Sequence, residues 1–443
     1  MSSFKAEYQK KLISAEDAAA MIKSGDIVDY YAFNASSQYV DAALAKRVNE
    51  LENVTIRSEL RLAMPMQVFM ADSEGKAFRL NSLFKGPIEN MVPKERCAPM
   101  PARLGSYEKL FRDGEVTTDW AAFMVSPPDH DGYLHFWPSP ALAKADVETS
   151  KVFFAEINET YHHYKYEREE CKIHISEVDY IIEGDSPPLM EIPSPPTTEV
   201  DAKIAEHVMT ELCDGACLQI GYGGVPNAVA HLIAESSLKD LGVQTEVLPE
   251  GLVQLYKAGK ITCAKKGVDV GKMTSSFVLG SNELFEFIHD CPAVLLCSAN
   301  YTNSPYIIAK NDNFVSVNAC LEVDLMGQVC SESIGPNTIT GTGGQLDFVL
   351  GSQMAKNGKS IICTPSTYTR KDGTEVSRIV ATITPGNTVT TPRSCVNYIA
   401  TEYGIVNLRG RNLWERAELL IGIAHPAFRD DLIQQAKELN LLR

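Results

Sequence analysis

The stretch Gln244-Thr245-Glu246-Val247-Leu248-Pro249-Glu250-Gly251 places one carboxylate where a strand stops. Residues 243–248 are a short apolar run with β-branched members, and Pro249 suits the first turn of a helix, where its missing N–H costs nothing. Glu246 is therefore expected near a strand end that faces a helix start. In open α/β sheets ligands bind outside the carboxyl ends of the strands, which makes a glutamate at that edge a candidate catalytic group. Acidic residues are also favoured near helix N-termini and in solvated loops, so position alone leaves those readings open.

Around this stretch the second half of the chain alternates strand and helix. A helix is expected over 201–212 and a strand over 217–220, feeding Gly221-Tyr222-Gly223-Gly224-Val225-Pro226 and a further helix to 237. A helix over 252–258 follows, stopped by Gly259; then strand 276–279, helix 282–289 and strand 293–297. Residues 314–325 alternate like one strand and lead into a second glycine loop, Thr340-Gly341-Thr342-Gly343-Gly344, and another helix. Strands over 360–364, 378–383 and 395–401 and a helical tail complete an α/β domain.

The first half follows the same grammar. Ser14 opens an alanine-rich helix ended by Gly25, and strands are expected over 26–33, 54–60, 120–125 and 151–157. Between 185 and 200 the chain reads DSPPLMEIPSPPTTEV, whose five prolines make a stiff linker. This divides the protein into an N-terminal domain, 1–190, a linker, 191–199, and a C-terminal domain, 200–443, that carries Glu246.

With 443 residues, an apolar fraction of 44% and a charged fraction of 22%, the composition is that of a globular protein of two or three domains. A net charge of −16 argues against nucleic-acid or anionic-membrane surfaces, which need concentrated positive charge. The N-terminus lacks a signal-peptide pattern and nowhere do 18 apolar residues run together, so a cytoplasmic protein is expected. Eleven cysteines without a CxxC pair fit reduced thiols, and no metal site is expected. Cys213 and Cys217 would share a helix face as buried small residues. His130 and Asp131, in the loop after the 120–125 strand, are either catalytic or solvated. The adjacent His162 and His163 face different ways on any regular element, which disfavours a shared metal.

A strand, a glycine loop and a helix start together make a cradle for negative charge, because the bare backbone approaches an oxyanion or phosphate closely. Three readings of the two loops stay open. Gly221-x-Gly-Gly resembles a dinucleotide fingerprint, although Pro226 stands where the third glycine belongs. Alternatively both loops are plain tight turns. The third reading is covalent catalysis, with Glu246 attacking a thioester and backbone donors stabilising the tetrahedral charge.

Eight stretches spread over nearly the whole chain resemble the acetyl-CoA hydrolase/transferase family. They are SGDIVDYY (24–31), IHISEVDYIIEGDSPPL (173–189), DGACLQIGYGGVPNAV (214–229), LGVQTEVLPEGLVQLYKAGKIT (241–262), EVDLMGQVCSESIG (322–335), GTGGQLDFVLG (341–351), SRIVATIT (377–384) and ATEYGIVNLRG (400–410). The resemblance is strongest to butyryl-CoA:acetate and 4-hydroxybutyrate CoA-transferases. It implies two similar open-sheet α/β domains of the CoA-transferase (NagB/RpiA-like) type, with the active site in the cleft between them.

The resemblance further implies ping-pong transfer on Glu246, with short-chain acyl-CoA and a carboxylate as substrates and no resident cofactor or metal. Coenzyme A would be bound by Gly221, Tyr222, Gly223, Gly224 and Val225, by Gly344, and by Leu321 and Thr367. A homo-oligomer is expected on the same basis. A hydrolase on the same fold is the alternative; a nicotinamide-dependent oxidoreductase and a non-catalytic acyl-CoA sensor are readings of another class. The chain departs from the family pattern at Asn34–Gln38, which lacks a usual proline, and at Tyr161-His162-His163-Tyr164, which replaces a segment commonly carrying Pro and Arg. Tyr222 and Val247 also stand where Ile and Met are frequent. The first-domain departures bear on acyl specificity and leave the nucleophile untouched.

Overall fold

The structure, a computed structural model, describes residues 3–62, 64–166 and 168–442. Glu167, in the charged stretch after the 151–157 strand, lies outside them. The chain forms two compact units: Met1–Ile192 with Ser276–Tyr301 and Ile339–Gly343, and Pro193–Ser275 with Thr302–Thr338 and Gly344–Arg443.

In the first unit seven strands lie in the order Cys97–Pro99, Phe78–Ser82, Val54–Arg61, Ile27–Phe33, Thr118–Val125, Ser150–Ile157, Tyr180–Ile182, all parallel. The central strands read as continuous apolar runs because both their faces are covered: Ala121, Ala122, Phe123, Met124 and Val125 are all buried. Ser14 caps the helix Ala15–Met21 by accepting from the Asp17 N–H at 3.0 Å.

A buried carboxylate organises the turn after the Ile27–Phe33 strand. Glu156 accepts from Ser37 Oγ at 2.5 Å and from the N–H groups of Gln38, Tyr39 and Val40 at 2.8, 3.1 and 2.9 Å. It thereby satisfies the first donors of the helix Tyr39–Ala45 from a strand two places along the sheet.

In the second unit five parallel strands run in the order Gly242–Leu248, Cys217–Ile220, Phe314–Ala319, Lys359–Cys363, Tyr398–Thr401. Gly404–Asn407 adds an antiparallel edge strand that the sequence reading missed. Two expected strands are shorter than their alternation implied. Residues 314–325 break into Phe314–Ala319 and Glu322–Asp324, and the latter leaves the main sheet to pair with Ile379–Val380, which is all that forms of the 378–383 strand.

The domain reading needs one correction: 200–443 is not one body. Within the first unit, backbone hydrogen bonds hold Ser276, Val278, Leu296, Ala299 and Gly343 to Ala141, Pro138, Arg168, Ala141 and Leu104. The Pro-rich segment is also less free than a linker. Met190 N–H donates to Asn34 Oδ1 at 2.8 Å, and Asn282 donates to the Glu191 carboxylate. Among the described residues no helix is long and apolar enough to cross a membrane.

Candidate active site

Glu246 lies near the end of the Gly242–Leu248 strand and is the one partly exposed residue in an otherwise buried element. Pro249 follows in extended conformation as the N-cap of the helix Glu250–Lys257, one position earlier than the first turn expected for it. The strand is anchored by a buried amide chain. Asn311 Nδ2 donates to Gln244 Oε1 at 2.8 Å, and Gln244 Nε2 donates to the Thr302 carbonyl at 3.0 Å.

That chain fixes the segment carrying Asn303, a fully buried residue whose Nδ2 donates to Glu246 Oε2 at 2.8 Å. On the same side stands Gly344, the N-cap of the helix Gln345–Met354. A Cβ at 344 would overlap both the Glu246 carboxylate and the Asn303 amide. Gly344 is therefore glycine for want of space. Strand end, amide and helix start converge on a single carboxylate oxygen.

Burial pushes the Glu246 carboxyl up to about 7; the Asn303 hydrogen bond opposes that rise and Asp347, buried in the first turn of the Gln345–Met354 helix, adds to it. A carboxylate so placed is ionised in part at neutral pH, poorly solvated and oriented. These are the properties of an activated oxygen nucleophile.

The first glycine loop sits where the Cys217–Ile220 strand turns into the helix Gly224–Glu235. Gly223, at φ 149°, adopts a conformation open only to glycine, and it caps the helix without a side chain. The N-terminal donors of a twelve-residue helix are thus left to the backbone's surroundings. At Gly224 a Cβ would overlap the Asp201 carboxylate, so this glycine serves helix packing, while Gly221 has open space around it. Tyr222 donates its hydroxyl to the Pro193 carbonyl.

The second loop is divided in role. Gly341 passes too close to the Leu83 carbonyl to carry a side chain, and Gly343 has φ 58°; only Gly344 meets Glu246. Arg378 joins Leu321 to the residues either side of Thr367: its Nη1 donates to the Leu321 carbonyl at 2.9 Å, its N–H donates to the Ser366 carbonyl at 2.8 Å, and its guanidinium lies over the Tyr368 ring. Thr367 itself pairs with Ser377 and donates to Glu375. Asn303 and Arg378 are both absent from the sequence reading. No local pattern marked Asn303, which lies between two four-residue helices, Ala299–Thr302 and Pro305–Ile308.

The other candidates resolve as structural groups. His130 is exposed beside Asp131, at 3.1 Å, while Asp129 organises the turn by accepting from Asp131 and Tyr133. His162 and His163 diverge as expected, the first stacking on His289 and the second bonding at 2.8 Å to the Pro127 carbonyl. Cys213 is exposed and Cys217 buried in a strand; the helix they were expected to share ends at Met209.

Two open, largely parallel α/β sheets and a pinned glutamate at a strand end define the class as that of the CoA-transferases. The chain belongs to the acetyl-CoA hydrolase/transferase family, whose N-terminal domain matches residues 1–193 and whose C-terminal domain matches 280–436. It is 43% identical to the "Probable butyrate:acetyl-CoA coenzyme A-transferase" of Syntrophomonas wolfei over 99% of this chain and 97% of that one. Identity to the butyryl-CoA:acetate CoA-transferase of Anaerostipes caccae is 41%, over 100% and 99% of the two chains. Among solved structures, RipA from Yersinia pestis superposes with a TM-score of 0.88 at 33% identity, covering 99% of this chain and 100% of that one.

Proposed function

We propose that the protein moves coenzyme A between short-chain acids, with butyryl-CoA and acetate as the pair, and that Glu246 is the covalent relay. The observation that carries this reading is the Glu246 carboxylate itself, held by Asn303, backed by the bare Gly344 and raised to about 7 by burial. The names of the two relatives supply the choice of acyl group and acceptor.

In the forward half-reaction a Glu246 oxygen attacks the thioester carbonyl. The C–S bond breaks, CoA leaves as thiolate, and an acyl-glutamyl anhydride remains. The thiolate then attacks the glutamyl carbonyl, butyrate departs with the bridging oxygen, and a glutamyl-CoA thioester is left. Acetate reverses the sequence and leaves as acetyl-CoA. One thioester replaces another, so the chemistry draws on no resident metal or cofactor; coenzyme A enters as a substrate.

Gly221, Tyr222, Gly223, Gly224 and Val225 form the turn that would receive an anionic part of CoA, and Gly344, Leu321 and Thr367 complete the contacts in this proposal. The absence of a side-chain cap on the Gly224–Glu235 helix supports the first assignment. A cytoplasmic setting and a homo-oligomer belong to the same proposal; eleven free cysteines, eight of them buried, suit a reducing compartment.

Product analysis tests it. Purified protein is incubated with butyryl-CoA, with and without acetate, and the CoA species are separated by chromatography. Acetyl-CoA is expected only with acetate and is lost in Glu246→Ala. Free CoA formed equally fast without acetate would identify a hydrolase instead.

A further inference from the structure

In a chain with 57 acidic and 41 basic side chains, an arginine with no acid beside it is informative. Arg378, in the second unit, is one: among the described residues no carboxylate pairs with it. Its guanidinium gives a single hydrogen bond, from Nη1 to the Leu321 carbonyl at 2.9 Å, and its Nε is buried without a partner. The Tyr368 ring backs the group, its centroid 5.0 Å from the guanidinium carbon. Arg416 shows the contrast within the same unit. It too lacks an ion pair among the described residues, but its Nε, Nη1 and Nη2 give four bonds, to the carbonyls of Arg411, Met326, Arg393 and Leu408. A guanidinium carries five N–H donors, so Arg378 is held in place with most of its donors unspent.

The two carbonyls that fix Arg378, those of Leu321 and Ser366, stand just past the carboxyl ends of Phe314–Ala319 and Lys359–Cys363. In the same sheet the order runs Gly242–Leu248, Cys217–Ile220, Phe314–Ala319, Lys359–Cys363, with each pair parallel. Glu246, the loop Gly221–Val225 and Arg378 therefore follow one another along one carboxyl edge, and that edge is where parallel sheets receive ligands. Neighbouring strands lie about 4.8 Å apart, so two to three steps, roughly 10–14 Å, separate Glu246 from Arg378. An acyl-CoA is reactive at one end and polyanionic at the other, and its extended pantetheine arm covers such a gap.

From this geometry we infer that Arg378, steadied by Tyr368, binds a phosphate of coenzyme A and so anchors the substrate while its thioester lies at Glu246. The inference rests on the transfer reading and deepens it. Guanidinium and phosphate match as donors and acceptors, and hydrogen bonds between them are charge-assisted.

The test sets a substrate with phosphates against one without. With acetate as acceptor, kcat/KM is measured for butyryl-CoA and for butyryl-pantetheine in wild type, Arg378→Gln and Tyr368→Ala. In Arg378→Gln the butyryl-CoA value is expected to fall about tenfold or more while the butyryl-pantetheine value holds within about twofold, because only the first substrate has a phosphate to lose. Tyr368→Ala removes an exposed ring, which the fold tolerates, and should lower the same ratio about threefold; it decides alone if Arg378→Gln does not fold. Unchanged ratios, or an equal fall for both substrates, would overturn the assignment and leave Arg378 a structural group. Where butyryl-pantetheine is too poor a substrate to rank, or wild type transfers nothing and the transfer reading fails by itself, calorimetric titration with coenzyme A decides. Binding about tenfold weaker in Arg378→Gln than in wild type upholds the anchor, whereas equal affinities or no binding at all refute it.

Discussion

Gly344 and Glu246 occupy one another's space: the volume a side chain at 344 would need is filled by the Glu246 carboxylate. The helix Gln345–Met354 begins against that oxygen, so the glutamate's position depends on a backbone segment far away in sequence. Gly344→Ala should displace the carboxylate and lower kcat/KM by at least about 100-fold, since a displacement of about 1 Å suffices for such a loss. Circular dichroism should show the fold retained. A variant with wild-type turnover would contradict the relationship.

The pH profile should carry an acid limb set by Glu246. Only the ionised carboxylate attacks, and its pKa stands at about 7, so kcat/KM should rise with pH through that value and fall about tenfold per pH unit well below it. Asn303 stabilises the charged form, so Asn303→Ala should move the limb to higher pH. A limb that stays in place after this substitution would remove Asn303 from the site's electrostatics.

The same carboxyl should lower the protein's stability. Its folded pKa, about 7, lies above its ordinary 4.5, so the folded state holds the proton more tightly and loses stability as pH rises between these values. By about 1.4 kcal/mol per pKa unit, the loss approaches roughly 3 kcal/mol above pH 7. Glu246→Gln, neutral throughout, should therefore be inactive yet more stable than wild type at pH 8, with little difference at pH 4. Urea denaturation at the two pH values measures this, and equal midpoints at pH 8 would refute it.

Glu156 should be essential to the first unit. Replacing it by alanine leaves Ser37 and three helix-start N–H groups without their acceptor, which should cost about 3 kcal/mol and lower the unfolding midpoint. A midpoint within error of wild type would show that water replaces the carboxylate freely.

The alternation of apolar runs with caps and glycines made most strands and helices of both sheets readable, and the helix Asn282–His289 was placed to the residue. Glu246 was readable because a strand end, a proline and a glycine stand beside it. Asn303 was not: its role depends on Gln244 and Asn311, partners many residues away that no local pattern links. The return of Ser276–Tyr301 to the first unit was hidden for the same reason, since backbone hydrogen bonds to Pro138 and Ala141 carry no side-chain signature. Residues 314–325 misled because alternation persists through a break at Cys320-Leu321, where the chain changes sheets.

Both sheets share a layout in which the first strand of the unit is flanked by the second on one side and a later strand on the other. In the first unit the helix after that strand begins on Glu156, so its positive end is already neutralised from within. In the second, Gly223 begins the equivalent helix without a side-chain cap, and Asp201, whose carboxylate lies beside Gly224, accepts from Thr198. One glutamate thus separates a helix start whose first donors are met by a side chain from one that begins without a side-chain cap. The same strand arrangement starts its helix by two different means, without any change of topology.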